Sequence, residues 1–280
     1  MDNNALVSIV VPTKESAQHL ARCTQSIREQ SYRPIELIVV DNFSRDGTWE
    51  IARTVADRAV QGGPERCAQC NIGFRLATGR YLYRVDADFV LEQGVVEAAV
   101  AACEGGLDAV CVPNRSDPGV SFWSAVRHFE RLMYDGSALY SGARFFSRHA
   151  FDAIGGFDET LVAGEDYDVN NRLIAAGFQT GWIGPAELHV GEPATLSEIA
   201  RKSYFYGSTF WPFLRKSGAR GVKQLSPFRG AYVRHWRDFL RHPVLGAGLV
   251  VMQVVKYACG AAGLAAASLT RFTSNGRALS

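Results

Sequence analysis

The amino-acid sequence predicts an α/β protein: a mostly parallel sheet flanked by helices, followed by a C-terminal helical, partly apolar extension. Three observations carry this expectation. Apolar runs and amphipathic segments alternate along the chain, the pattern of strands joined by crossover helices. Several of the runs are continuous and β-branched, as in strands buried on both faces. Those runs also end in polar residues that packing does not require, namely Pro12-Thr13, Asp41, and Asp86 with Asp88.

In chain order, LVSIVVPT is a first strand ended by proline, and SAQHLARCTQSIREQ sets Leu20, Cys23 and Ile27 at helical spacing. IELIVVDNFS is a second buried strand ending in Asp41, and RDGTWEIARTVADRA a second helix. NIGFRLAT reads as a third helix and RYLYRVDADF as the strand after it. LEQGVVEAAVAACEG is helical, LDAVCVPN is a strand, and GWIGPAELHV is strand-like. Glu165-Asp166-Tyr167-Asp168 opens a helix that stops at Gly177, and acids in a first turn suit the positive end of the helix dipole.

Composition bounds the rest. With 280 residues and 47% apolar side chains, the chain makes one large domain or a domain plus an appendage. The expected division is residues 1–210 and a basic, apolar extension over 211–280. The formal charge of +2 conceals an asymmetry, because residues 201–241 hold ten Lys/Arg against one acid, Asp238. The six cysteines are scattered, and Cys67-x-x-Cys70 has no second pair to complete a zinc site. MDNNALVSIVV lacks the charged start and cleavage site of a secretory signal, so free thiols in a cytoplasmic setting are expected.

Ligands of open α/β sheets bind beyond the carboxyl ends of the strands, where the polar strand ends here converge. A nucleotide suits that rim, yet no Gly-x-Gly-x-x-Gly follows the first strand and no Gly-x-x-x-x-Gly-Lys-Ser/Thr occurs. Phosphates bound there would need a metal, and the hard carboxylates of Asp86-x-Asp88 suit Mg²⁺ or Mn²⁺.

The order of these pieces resembles the family 2 glycosyltransferases (GT2) of the GT-A fold. VSIVVPTKE is similar to that family's opening strand, and IELIVVDNFSRDGT to its second strand and acidic turn. CNIGFRLATGRYLYRVDADF resembles the block that ends in the Asp-x-Asp (DXD) motif, and AIGGFDETLVAGEDYDVNNRLIAAG the Gly-Gly-Phe-Asp-Glu…Glu-Asp-x-Asp block. The resemblance spans residues 6–210 and implies a metal-dependent, inverting sugar transfer (EC 2.4) from a nucleotide-sugar, commonly a UDP-sugar, to a hydroxyl acceptor. It also implies roles. Pro12, Thr13 and Glu15 would line the nucleoside pocket, and Asp41 would accept a hydrogen bond from the base. Asn71 and Arg66 are further donor-site candidates. Asp86 would contact ribose or metal, Asp88 would ligate the metal, and Asp166 would be the general base. His189 is either a packed residue or a metal ligand. Cys70 stands where the family often has Arg, and Lys14 replaces a small or aromatic residue.

Trp123, Tyr134 and Tyr140 lie in the stretch where the family's acceptors tend to bind, though core packing is the commoner use of such rings. PVLGAGLVVMQVV and YACGAAGLAAASLT are apolar runs separated by Lys256. Together with the basic, aromatic segment before them they suit an anionic membrane surface, the inner face of the cell membrane, with a lipid-linked or other glycan acceptor. A helix pair packed on the domain is the alternative, and no nucleic-acid module accompanies the basic residues. A metal-dependent nucleotidyltransferase and a non-catalytic membrane-associated binding protein remain as other readings.

Overall fold

The computed structural model describes residues 4–137, 139 and 142–277. β1 (Val7–Thr13), α1 (Ala17–Arg28), β2 (Ile35–Asp41), α2 (Thr48–Val55), β3 (Arg58–Gln61) and α3 (Arg66–Leu76) come first. β4 (Tyr81–Arg84), β5 (Phe89–Leu91), α4 (Val95–Glu104), β6 (Ala109–Cys111), β7 (Asn114–Ser116) and α5 (Phe122–Leu132) follow. Then come β8 (Phe145–Ser147), α6 (Arg148–Ala153), α7 (Glu165–Ala175), β9 (Thr180–Trp182), β10 (Glu187–His189) and α8 (Leu196–Thr209). The chain closes with α9 (Trp211–Gln224), α10 (Gly230–Arg234), α11 (Trp236–Arg241) and α12 (Pro243–Arg277).

These elements form two compact units. The first comprises Met1–Arg115, Asp135–Glu159 and Glu165–Gly191; the second comprises Ser116–Tyr134, Thr160–Gly164 and Glu192–Ser280. The first unit holds a sheet in the order β3-β2-β1-β4-β8-β6-β9. β1 pairs in parallel with β2 and β4, and β8 is antiparallel to both β4 and β6. The expected α/β class with a mostly parallel sheet is therefore present. Every residue of β1 is buried, as a central strand covered on both faces requires. Val7, Ile9 and Val11 face one apolar cluster with Leu20, Cys23 and Ile27 of α1. Val10 belongs to the opposite cluster with Cys67, Cys70 and Phe74 of α3. A Cβ on Gly73 would lie 2.4 Å from Val10 Cγ1, so glycine there lets α3 lie close against β1.

Three local expectations change. The second helix was expected to reach Ala59, but it ends at Val55 because Asp57 hydrogen-bonds to β2. Its N–H donates to the Leu37 carbonyl (2.9 Å) and its carboxylate accepts the Leu37 N–H (2.7 Å), leaving Arg58–Gln61 to form β3. RYLYRVDADF is two strands, so Asp86 and Asp88 stand in the turn between β4 and β5. FFS, for which the sequence predicts no strand, is the antiparallel strand β8, with Phe145 and Phe146 buried on its two faces.

In the second unit Val126, Phe129, Met133, Ile199, Ala231, Leu249 and Met252 make the apolar core. α12 is one continuous helix rather than a pair. Its small residues have a use, because a Cβ on Gly207 would fall 2.1 Å from the Gly260 carbonyl oxygen, and one on Gly263 would fall 2.1 Å from that of Tyr204. The backbones of α8 and α12 therefore touch. Lys256, the charge that divides the apolar tail, lies 3.4 Å from buried Glu130 of α5. Arg127, Tyr134 and Gln253 donate to the same carboxylate. Burial pushes that carboxyl up, but Lys256, Arg127 and Arg229 outweigh it and hold it far below the ordinary range. Trp123 packs against the apolar core and Tyr134 joins the Glu130 cluster; Tyr140 lies outside the described residues.

Candidate active site

The carboxyl end of β4 carries a buried charge network, only part of which is marked by sequence motifs. Arg84, the last residue of β4, is 1% exposed. Its Nε and Nη2 donate to Asp86 Oδ1 (3.1 and 3.0 Å), and its Nη1 donates to Asp166 Oδ1 (2.5 Å). One planar fork thus joins the DXD turn to the first turn of α7. Arg144, just before β8, approaches the same two acids, with Nη1 3.1 Å from Asp86 Oδ2 and Nη2 3.6 Å from Asp166 Oδ2. Nη1 of Arg144 also lies 3.1 Å from Glu187 Oε1, and Tyr83 donates to Glu187 Oε2. Arg66, at the start of α3, bonds Glu165.

Burial alone would neutralise these acids; the guanidinium groups decide otherwise. Burial pushes the Asp86 carboxyl up, but Arg84, Arg144 and Arg66 together drive it far below the carboxylate range. The same three cations overcome burial at Asp166 and hold its carboxyl low, so both aspartates are ionised. Glu187 keeps the opposite balance. Its burial exceeds the pull of Arg144, Asp86 adds repulsion, and its carboxyl is pushed up to about 7. Glu165 is likewise raised, by burial first and the Asp166 charge after the opposing pull of Arg66.

Asp88 has a different partner. His189 Nε2 lies 2.8 Å from its Oδ2, and the imidazole stacks on Phe89 with centroids 4.6 Å apart. A Cβ on Gly191 would come within 2.7 Å of that carboxylate, so the backbone there must be bare. Asp88 and His189 suit two ligands of a hard divalent cation whose other ligands are phosphate and water oxygens. Asp86 does not suit that role as arranged, because both of its oxygens bond guanidinium groups. Among the described residues no set of three His, Cys, Asp or Glu side chains is grouped to hold a metal by itself.

The nucleoside-pocket candidates divide the same way. Pro12, Thr13 and Asp41 are buried at the ends of β1 and β2, while Glu15 is exposed. Asp41 Oδ1 accepts from Thr13 Oγ1 (3.2 Å) and Ser44 Oγ (2.5 Å), and its Oδ2 accepts from the Ser44 N–H (3.0 Å) and Gln61 Nε2 (3.1 Å). Four donors fill the roughly four lone-pair positions of a carboxylate. Asp41 thus organises the turn, and its expected bond to the base finds no open position. Asn71 is turned to the Gly-Gly-Phe-Asp-Glu segment. It donates to the Phe157 carbonyl and Glu159 (both 2.9 Å) and accepts the Phe157 N–H (2.9 Å), so it ties α3 to that turn.

A model of the family described as "Glycosyl transferase family 2" matches residues 8–157. The chain belongs to glycosyl transferase family 2. It is 26% identical over 246 residues to the succinoglycan biosynthesis protein ExoA of Rhizobium meliloti, 78% of this chain and 73% of that protein. It is 33% identical over 101 residues to the glycosyltransferase GlyG of Streptococcus pneumoniae, 33% of each chain, so the match spans about a third of that relative's length. In fold it is similar to the mannosyltransferase PcManGT from Pyrobaculum calidifontis in complex with GDP-Man and Mn²⁺. The TM-score is 0.60 at 19% identity, covering 99% of this chain and 81% of that one. S. aureus TarS 1–349 in complex with UDP-GlcNAc gives a TM-score of 0.54 at 14% identity, covering 96% and 92%.

Arg84, Arg144, Glu187 and Tyr83 were not anticipated as site residues. One signal was legible: arginine is almost never fully buried unless paired, and Arg84 interrupts an otherwise apolar strand. Arg144 and Glu187 carried no local signal, because β8 and β10 reach the site only through the sheet topology.

Proposed function

We propose that this protein is an inverting glycosyltransferase that moves a sugar from a nucleotide-sugar, first of all a UDP-sugar, to a hydroxyl of a glycan or lipid-linked acceptor. The observation that carries the reading is the Asp166 carboxylate, positioned by Arg84 and Arg144 beside the DXD turn. Its side chain is 30% exposed, against 13% for Asp86, so it can meet an incoming hydroxyl. The acceptor O–H gives its proton to the Asp166 carboxylate as the oxygen bonds the anomeric carbon. The bond from that carbon to the diphosphate oxygen breaks on the opposite face, and its electron pair leaves with the nucleotide. No covalent enzyme intermediate is required.

Asp88 and His189 would hold Mg²⁺ or Mn²⁺, which when bound supplies positive charge for the departing diphosphate. UDP should accordingly bind more tightly with Mn²⁺ than with EDTA, and Asp88→Asn should remove that difference. Titration calorimetry in both buffers tests it, and equal affinities in the unaltered protein would sink the metal assignment. Release of sugar from a panel of UDP-, GDP- and dTDP-sugars tests the transferase reading itself; silence across the panel, with and without acceptor, counts against it.

In this reading residues 1–210 carry the sugar-transfer chemistry, and 211–280 form an extension that attaches the enzyme peripherally or monotopically to the anionic inner face of the cell membrane. Support comes from the ten basic residues over 201–241 and from the exposed Trp211, Phe228, Val233, Trp236 and Leu240 among them. Pro243–Leu269 is also long and apolar enough to cross a membrane, with mean hydropathy 1.6. Deleting α12 is an unsuitable test, since Leu249 and Met252 are core residues of the second unit. Reversing three exposed charges, Lys223→Glu, Arg234→Glu and Arg237→Glu, removes about 1 kcal/mol or more each near an anionic surface. The triple variant should therefore bind phosphatidylserine vesicles at least about tenfold more weakly at low salt. Flotation that is unchanged by the reversals, or absent in the unaltered protein, would refute the membrane role.

A further inference from the structure

α12 is apolar on its open side as well as on its packed one. Val244, Val250, Val251, Val254 and Leu269 are all exposed, by 46–69%. Every other exposed position from Ala247 to Ala265 is an alanine. These residues recur at spacings of three and four, so they line one side of the helix. From Val244 to Leu269 that side runs about 38 Å at 1.5 Å per residue. No charge interrupts it, and an exposed apolar surface of that extent marks an interaction site.

The opposite side is committed to the protein. A Cβ on Gly248 would lie 2.8 Å from both Phe122 and Val126 of α5. Leu249 and Met252 are core residues, and Lys256 faces Glu130. Gly260 and Gly263 then bring the backbone of α12 against α8. These contacts run from Gly248 to Gly263, so lipid can surround α12 only if α5 and α8 enter the bilayer with it. Neither is built for that. α5 has 11 residues and α8 has 14, short of the ~20 that span a bilayer. α8 also exposes Glu198, Arg201 and Lys202, charges that are costly at membrane depth.

The border of the open side is basic and aromatic. A Cβ on Gly246 would fall 2.9 Å from the Phe239 ring, so α11 packs there, one turn before Val250. From α11, Trp236 and Leu240 stay exposed, as do Arg237 and Arg241. We propose that α12 lies flat in the membrane surface rather than across it. Its open side rests among the acyl chains of an anionic leaflet, and α5 and α8 hold its other side out of them. This rests on the membrane reading of the extension and deepens it. A second copy seated on the same side would set two basic segments together, whereas an anionic lipid surface complements their charge. Tryptophan at the border suits the headgroup level, where such rings gather.

The experiment uses the full chain with vesicles of phosphatidylcholine and phosphatidylserine. Cys103→Ala and Cys259→Ala remove the thiols that are not buried, and one nitroxide is placed at Val244→Cys, Val251→Cys, Ala258→Cys or Ala265→Cys in turn. Relaxation of each label by oxygen and by a water-soluble nickel chelate reads its depth. All four should lie at one depth, about 5–10 Å into the boundary of headgroups and acyl chains. A crossing helix would spread them over about 30 Å and overturn the inference. Labels that stay in water on bound protein would also overturn it while leaving the membrane reading in place. So would broadening between labels that disappears when unlabelled protein is mixed in, the mark of a second copy. Val251→Gln combined with Val254→Gln should keep the Tm and bind at least about tenfold more weakly at high salt, where charge attraction is screened. Unchanged binding of that variant would count equally against the inference. An unaltered chain that leaves the vesicles unbound at low salt would overturn both readings.

Discussion

Asp166→Asn should bind UDP as the unaltered protein does while its turnover falls by about 10²–10⁴-fold, the range a positioned general base supplies. The substitution keeps the shape of the side chain and still offers one oxygen to Arg84, so the network around Asp86 survives. What it removes is the only atom set at that position able to take a full proton. The separation of kcat from donor affinity is therefore the diagnostic. Near-normal transfer would return Asp166 to an acid that merely suits the first turn of α7. A matching loss of UDP affinity would instead make it part of the donor site.

Arg84→Met should be among the most destabilising single changes available to this protein. Removing one partner of a buried ion pair costs roughly 3–5 kcal/mol, because the other charge is left in the interior. Here Asp86 and Asp166 would both lose their closest cation. Arg144 stays near each of them, which keeps the loss within that range. By the usual scaling, the Tm should fall by about 6–20 °C. A drop of less than 2 °C in a thermal melt would show that solvent already screens the pair. Arg84→Lys should fall between, since an ammonium keeps the charge but cannot reach two carboxylates with one planar fork.

The sheet was legible because its strands are self-announcing. Val7–Thr13 and Ile35–Asp41 are apolar over nearly their whole length, and burial on both faces permits nothing else. β3 and β8 were not legible for opposite reasons. β3 is an edge strand of Arg-Ala-Val-Gln, half exposed, and its sequence continues a helical period. β8 is three residues long and earns its place only through pairing with β4 and β6, which lie far away in sequence. At the site, Asp86, Asp88, Asp166 and His189 could be named from motifs, yet motifs do not state which carboxylate meets which cation. Asp86 was read as a metal or ribose contact, whereas two forks hold it. Asp41 and Asn71 were read as donor contacts, and both spend their hydrogen bonds on turns. Such partners are chosen by tertiary geometry, and a linear string carries no distance between Arg84 and Arg144.

The ion pair between Glu130 and Lys256 also sets a timetable for synthesis. The two residues are 126 positions apart, and α12, which carries Lys256, is made after every other described element of the second unit. At about 5–20 residues per second, the acid of α5 waits on the order of ten seconds for its counter-ion. Throughout that interval Val126 and Phe129 also lack Leu249 and Met252. The second unit therefore reaches its final form only after α12 has been made, whereas β1 to β4 of the sheet are complete within the first 84 residues. A nascent chain stalled before Pro243 should be cut by protease within α5 and spared within the sheet. Release of the finished chain should protect both.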